Sequence, residues 1–156
     1  MISLATVVDL PRLEPCAREF YAAAPSLGEF HLERFCEVWA GLLTSGAGVV
    51  FIASEGGDVR GCLGAVRHRD LYSEKSIAVE MFWFVPVRYR GTAMAGPRLY
   101  FAFERWARAE GCEEIRMVHL LDSMPEEVRA FYQKADFIAT EIHYAKKLSK
   151  VSRRAA

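Results

Sequence analysis

The sequence predicts an α/β (α+β) domain: a mixed, mostly antiparallel sheet flanked by helices, with elements in the order βααβββαβαβ. Three observations carry that expectation. Apolar, β-branched runs of strand length alternate with segments whose apolar residues recur at helical spacing. The turn Glu55-Gly-Gly-Asp58 joins two such runs, which makes those strands antiparallel neighbours. An apolar strand over residues 77–85 then runs into an arginine- and glycine-bearing loop and an amphipathic helix.

Each element has a local reason. Residues 2–8 form a short first strand, and Asp9 followed by Pro11 starts a helix in which Leu13, Cys16, Ala17 and Phe20 share a face. In the second helix Leu32, Phe35, Cys36, Trp39, Leu42 and Leu43 repeat at three and four, and Ser45-Gly-Ala-Gly48 ends it with residues that accept left-handed backbone. Residues 49–54 and 59–67 make the hairpin, and 76–85 the next strand. The helix after the arginine loop puts Leu99, Ala102, Phe103 and Trp106 on one stripe, and it closes at Gly111. Pro97 falls near its first turn, where a missing N–H costs little. Residues 114–121 read as a buried strand, 125–135 as a short helix with Val128, Phe131, Tyr132 and Ala135 inward, and 137–148 as a last strand. The expected organisation is one domain over residues 1–148 and a basic tail over 149–156.

At 156 residues the chain suits one domain with a substantial core. Basic and acidic residues balance at 20 each, so no global field favours nucleic acid or a cationic partner. Cys16, Cys36, Cys62 and Cys112 form no C-x-x-C pair and three lie among apolar neighbours, which fits buried reduced thiols of a cytosolic protein and no metal site. Asp9, Arg12 and Glu14 interrupt the N-terminus before a signal-peptide core forms, and no run approaches the roughly 20 apolar residues of a membrane span. These features predict a soluble, cytoplasmic chain with neither nucleic acid nor membrane as a partner.

The loop Arg88-Tyr-Arg-Gly-Thr-Ala93 ahead of a helix exposes backbone N–H groups beside the positive end of the helix dipole, and its arginines add charge, so the pattern suits a phosphate. Loop arginines are otherwise simply solvated. Glu80 lies inside an apolar strand, where a carboxylate is costly unless it faces a cavity or a partner. Burial would raise its pKa and make it a general-base candidate; pairing with an arginine, or exposure, is the plainer alternative. By strict alternation Glu80 shares a face with Ala78, Phe82 and Phe84. His119, on the neighbouring strand, is a second base candidate acting through water, against the plainer role of a hydrogen-bonded core histidine. The run Phe82-Trp83-Phe84 reads as core on both faces of the sheet.

The order of elements and the residues at its centre resemble the GNAT superfamily of acyl-CoA N-acyltransferases over nearly the whole chain. Phe82-Trp-Phe-Val-Pro86 followed by Arg88-Tyr-Arg-Gly-Thr-Ala93 is similar to the family's strand and pyrophosphate loop. That loop reads Arg or Gln, two residues, Gly, one residue, then Gly or Ala, and Arg88, Gly91 and Ala93 satisfy it. A second register starts at Arg90 and uses Ala93 and Ala95; a third, with one insertion, uses Gly96. Trp106-Ala-Arg-Ala-Glu-Gly111 and Ala130-Phe-Tyr-Gln-Lys-Ala-Asp-Phe137 resemble the family's helix end and closing Phe-Tyr segment. The aromatic strand and Tyr144-Ala-Lys146 are similar to small phage and prophage members. Two departures stand out: Asp136 replaces a common Gly, and Asp122-Ser-Met-Pro125 has no clear match for a frequent Asn.

The resemblance implies that two neighbouring strands, here 78–85 and 115–121, splay apart and grip the acyl-pantetheine arm of acetyl-CoA, with backbone N–H groups near Phe84 and Val85 polarising the thioester. Phosphate binding would fall to Arg88, Arg90, Gly91, Thr92, Ala93, Ala95 and Gly96. Tyr132, at the Tyr of the Phe-Tyr segment, would be the general acid, with packing on an amphipathic helix as its plainer role. The implied activity is transfer of an acetyl or other acyl group from acyl-CoA to an amine of a small molecule or a protein, by direct attack in a ternary complex. Specificity would lie in the first two helices and residues 66–75, and the chain leaves room for a homodimer. The alternative is a catalytically idle CoA-binding or interaction module.

Overall fold

The computed structural model describes residues 1–24, 28–91 and 94–146. By internal contacts the chain divides into two compact units, Met1–Pro125 and Glu126–Ala156.

In the first unit, among the described residues, β1 (Ile2–Leu4), β2 (Gly48–Glu55), β3 (Asp58–Arg69), β4 (Ser76–Phe84) and β5 (Glu114–Arg116) form one sheet in that spatial order. The first four pair antiparallel, whereas β5 returns through a helix and joins β4 in parallel, as such a crossover requires. Alternation builds two layers on this sheet. Along β2, Val49, Phe51 and Ala53 pack with Leu63 and Ala65 against Leu99, Phe103 and Ala107 of α3 (Ala95–Ala109). Val50 and Ile52 point the other way. They pack with Cys62 against Leu10 and Leu13 of a 3-10 helix (Val7–Leu13), Cys16 and Phe20 of α1 (Glu14–Ala23) and Trp39 of α2 (Leu32–Ser45).

The helix expected at Asp9 thus begins as a tighter 3-10 segment. The Thr6 N–H and hydroxyl donate to the Asp9 carboxylate at 2.9 and 2.7 Å, and the α-helix proper starts only at Glu14, with a proline in its first turn. Gly46, at φ +71°, ends α2 as expected.

Strand β4 departs from strict alternation. Glu80 pairs with Ala65 and Phe82 with Gly64, so Met81 is an extra residue, a β-bulge. Ala78 consequently packs on the α3 side, while Phe82 and Phe84 pack on the opposite side; the single face expected for the three is not formed. Gly64 makes room for this arrangement, since a Cβ there would lie 2.3 Å from the Phe82 ring and 2.8 Å from Trp39.

Strand β5 is shorter than the expected 114–121. Its pairing covers Ile77 with Glu114, Ala78 with Ile115 and Val79 with Arg116, and there it stops, whereas β4 runs on to Phe84. Beyond Val79 the two strands have parted.

In the second unit, α4 (Pro125–Lys134) opens with Glu126 and Glu127 at the positive end of its dipole. It closes where the Phe137 N–H reaches the Tyr132 carbonyl at 2.9 Å and Asp136 takes φ +59°, the left-handed turn expected of it. No strand forms over residues 137–146: strand propensity needs a paired neighbour, and Ile138, Ile142 and Tyr144 are exposed. The rest of that expected strand, and the tail, lie outside the described residues. No helix among the described residues is long and apolar enough to cross a membrane.

The close approach at Gly64 sets a stability prediction. Gly64→Ala should cost about 1–3 kcal/mol, seen as a lower urea midpoint at an unchanged m-value. An unchanged midpoint would mean that the Phe82 ring yields freely.

Candidate active site

Where β4 and β5 part, Glu80 occupies the gap. It is 4% exposed, and its Oε2 accepts the Val118 N–H at 2.9 Å. The carboxylate therefore takes a backbone donor that a continued ladder would have turned toward a β4 carbonyl. Among the described residues it is the sole buried charged side chain. Arg116, on β5, does not neutralise it but pairs with Asp70 and Glu114, at 3.6 and 2.7 Å. Burial pushes the Glu80 pKa up to about 7, against the smaller opposing effect of the Val118 N–H. His119 follows directly. Its Nε2 is shielded from solvent without a hydrogen-bond partner among the described residues, a costly state that a bound ligand or water would relieve.

At the far end of β4, Phe84 is buried with its ring 5.4 Å from that of Phe20, and Val85 is half-buried on the α3 side. The loop that follows is tied down by its own arginines. Arg90 donates through Nε to the Val85 carbonyl at 2.8 Å and lies 5.3 Å from the Phe84 ring. Arg88, in a 3-10 turn (Val87–Tyr89), forms an ion pair with Glu19 of α1. Its guanidinium lies 4.6 Å from the Tyr89 ring, which Arg60 approaches at 4.1 Å. Hydrogen bonds to Tyr89 and to Glu19 raise the Arg88 pKa above the ordinary arginine value, so it stays charged.

Gly91 holds φ +78° with nothing within 4 Å of where a Cβ would stand, so its glycine serves the backbone conformation and not close packing. Thr92 and Ala93 lie outside the described residues. Helix α3 begins after Met94, at φ +51°, with no side-chain cap, and its first intrahelical bond runs from the Arg98 N–H to the Met94 carbonyl at 3.0 Å. The N–H groups of Ala95 and Gly96 have no intrahelical acceptor, and Pro97 has none to offer. This is a helix start able to hold an anion.

Tyr132 belongs to the second unit. It is half-buried on α4, its ring 6.1 Å from Phe131 and 5.2 Å from Phe137. Among the described residues no group of three His, Cys, Asp or Glu could hold a metal ion, and the four cysteines are free.

The Val118 N–H, the Glu19 partner of Arg88 and a cavity of about 210 Å³ bounded by α1, α2 and β4 are not legible in the sequence. A backbone donor leaves no mark on the sequence. Glu19 is one acidic residue among 20, and cavity-lining aromatics recur at the same spacing as core.

The sequence matches the acetyltransferase (GNAT) family over residues 13–137, and the chain belongs to that family. It is a GNAT-type acetyltransferase, and such enzymes use acetyl-CoA. Solved structures share the fold across almost their whole length. An aminoglycoside acetyltransferase, meta-AAC0020, from an uncultured soil metagenomic sample superposes with TM-score 0.75 at 22% identity, covering 96% of each chain. Ribosomal-protein-alanine N-acetyltransferase from Brucella melitensis biovar Abortus 2308 gives 0.73 at 15%, covering 96% of this chain and 99% of the other. AAC(6')-Iy, solved with the bisubstrate analog CoA-S-monomethyl-acetylneamine, gives 0.73 at 20%, covering 95% and 98%. At these identities the likeness is one of fold. No protein of curated function matches the sequence significantly.

Glu80→Gln keeps an acceptor for the Val118 N–H and removes the titration, which gives a pH test. The folded pKa of about 7 lies above the unfolded value of 4.5, so the folded chain binds the extra proton between them. The stability that the protonated carboxyl contributes is full below the unfolded value and is lost as pH rises through about 7. Wild-type stability measured against Glu80→Gln by urea unfolding should therefore decline across that window. A flat difference would show that Glu80 is ionised throughout.

Proposed function

We propose that the chain transfers an acetyl group from acetyl-CoA to a primary amine by direct attack in a ternary complex. The observation that carries this reading is the parting of β4 from β5 after Val79 and Arg116, with the buried Glu80 carboxyl in the opening. An acyl-pantetheine arm laid along β4 would supply the backbone pairing that β5 withdraws. The N–H groups near Phe84 and Val85 would polarise the thioester carbonyl.

The diphosphate would rest on the Ala95 and Gly96 N–H groups and on the turn at Gly91. Arg90 would exchange the Val85 carbonyl for a phosphate oxygen, and Arg88 would share its charge between Glu19 and the ligand. As the amine nitrogen attacks the carbonyl carbon, the C–N bond forms and the C–S bond breaks. The proton lost by the amine passes to Glu80, directly or through a water held by His119, and the departing thiolate takes a proton from Tyr132. Glu80 suits its role because a base with a pKa near 7 is half-ionised at neutral pH yet still accepts a proton readily.

Two measurements test the reading. CoA should raise the melting temperature by ligand linkage, and Arg90→Glu should abolish most of that rise; an undiminished rise would move the phosphate site elsewhere. In a thiol-release assay with saturating amine, Glu80→Gln and Tyr132→Phe should each lower kcat by about 100-fold with CoA affinity nearly unchanged, and Glu80→Gln should remove the acidic limb of the pH profile. Unaltered turnover would reduce either residue to packing.

A further inference from the structure

The part of β4 left without a β5 partner also forms the floor of the cavity of about 210 Å³. Its walls include Phe20 and Tyr21 from α1 and Phe35 and Trp39 from α2, with Met81 and Phe82 at the bulge beneath. The rings make a continuous set: Phe82 meets Trp39 edge to face at 5.0 Å and Phe35 at 5.7 Å, Phe35 meets Phe30 at 5.7 Å, Phe30 meets Tyr21 at 5.4 Å, and Tyr21 meets Phe20 edge to face at 5.8 Å. None of the described lining residues is charged, and the polar side-chain groups among them are the Tyr21 hydroxyl, the Trp39 indole N–H and the thiols of Cys16 and Cys62. An outer hollow of about 220 Å³ shares Tyr21, Phe35, Val38 and Trp39 and brings Glu29, His31 and Arg34 to the rim, where Arg34 pairs with Glu37 at 2.9 Å.

We infer that this cavity is the acceptor site and that the acceptor is a monoamine built on an aromatic ring with a short aliphatic arm. The inference rests on the acetyltransferase reading above and gives it a substrate class. Position comes first: Met81, Phe82 and Phe84 line the cavity and belong to the same strand whose free edge would carry the thioester. Size comes next. A cavity of about 150 Å³ accommodates benzene, so about 210 Å³ holds a phenyl ring and a two-carbon arm. The walls offer ring faces and ring edges, the two surfaces an aromatic guest packs against.

Chemistry then excludes the larger classes of amine. A polycationic aminoglycoside would lose the hydration of several ammonium groups, with no carboxylate among the described lining residues and Glu29 alone in the outer hollow to replace it. A peptide N-terminus would bring amide groups for which the lining has few side-chain partners. A single amine fares differently. Apolar surroundings lower the pKa of its ammonium form, and so populate the free base that attacks the thioester.

The test compares 2-phenylethylamine, sisomicin and an alanine-initiated peptide as acceptors in a thiol-release assay with saturating acetyl-CoA. The expected result is a kcat/KM for 2-phenylethylamine at least about tenfold above either competitor. Val38 is 38% exposed on α2 at the cavity wall, so Val38→Trp should fold while filling the entrance. It should raise the KM for 2-phenylethylamine about tenfold or more and leave the KM for acetyl-CoA within about twofold. Preference for sisomicin or the peptide, or an unchanged 2-phenylethylamine KM in Val38→Trp, overturns the inference while leaving the acetyltransferase reading standing. If no amine releases thiol, that reading falls and calorimetry with 2-phenylethylamine decides the cavity: binding by the wild type and not by Val38→Trp upholds the aromatic-amine site, and absence of binding ends it.

Discussion

The hydrogen bond from the Val118 N–H to the Glu80 carboxylate is the constraint on which the site depends. Two parallel strands that start in register would ordinarily continue their ladder, because each backbone N–H and C=O left unpaired in the interior is costly. Here the ladder ends at Arg116, and a side chain from β4 satisfies a donor of the diverging chain. The opening is thereby held by a bond that also places a carboxyl inside it. The same burial that makes the bond strong keeps the carboxyl from ionising at its ordinary pH.

The bulge at Met81 is the second device. One inserted residue turns Phe82 and Phe84 toward α1 and α2, while Ala78 and Trp83 stay with α3. A single stretch of β4 thus has an edge beside the parted β5 and an aromatic face on the floor of the cavity. Edge and face meet at the residues nearest the arginine loop, which is itself fastened through Arg90 to the Val85 carbonyl and through Arg88 to Glu19. Gly64, opposite Phe82, has no side chain because the bulged strand leaves no space for one.

Much of the fold was legible because it follows from periodicity. The helical spacing of Leu99, Ala102, Phe103 and Trp106, the β-branched apolar run of residues 49–54 and the Gly56-Gly57 turn each point to one element. Strand ends were not legible. Residues 117–121 and 137–146 have strand-like composition, yet pairing decides whether a strand forms, and pairing is a property of the neighbour. Glu80 could be singled out, since a carboxylate among apolar residues is anomalous in any sequence. Its relation to Ala78 and Phe82 could not, because a bulge changes parity without changing composition. The cavity was hidden for a related reason: Phe20, Phe35 and Trp39 obey the spacing of core residues whether or not the space between them is filled.

Amide hydrogen exchange with and without acetyl-CoA tests the central claim most directly. If the opening between β4 and β5 receives the pantetheine arm, acetyl-CoA should slow exchange of amides within residues 82–85 and 117–120, together with Ala95 and Gly96 at the start of α3. Protection confined to other segments, or none in residues 82–85 and 117–120 when the ligand is bound, would contradict the account.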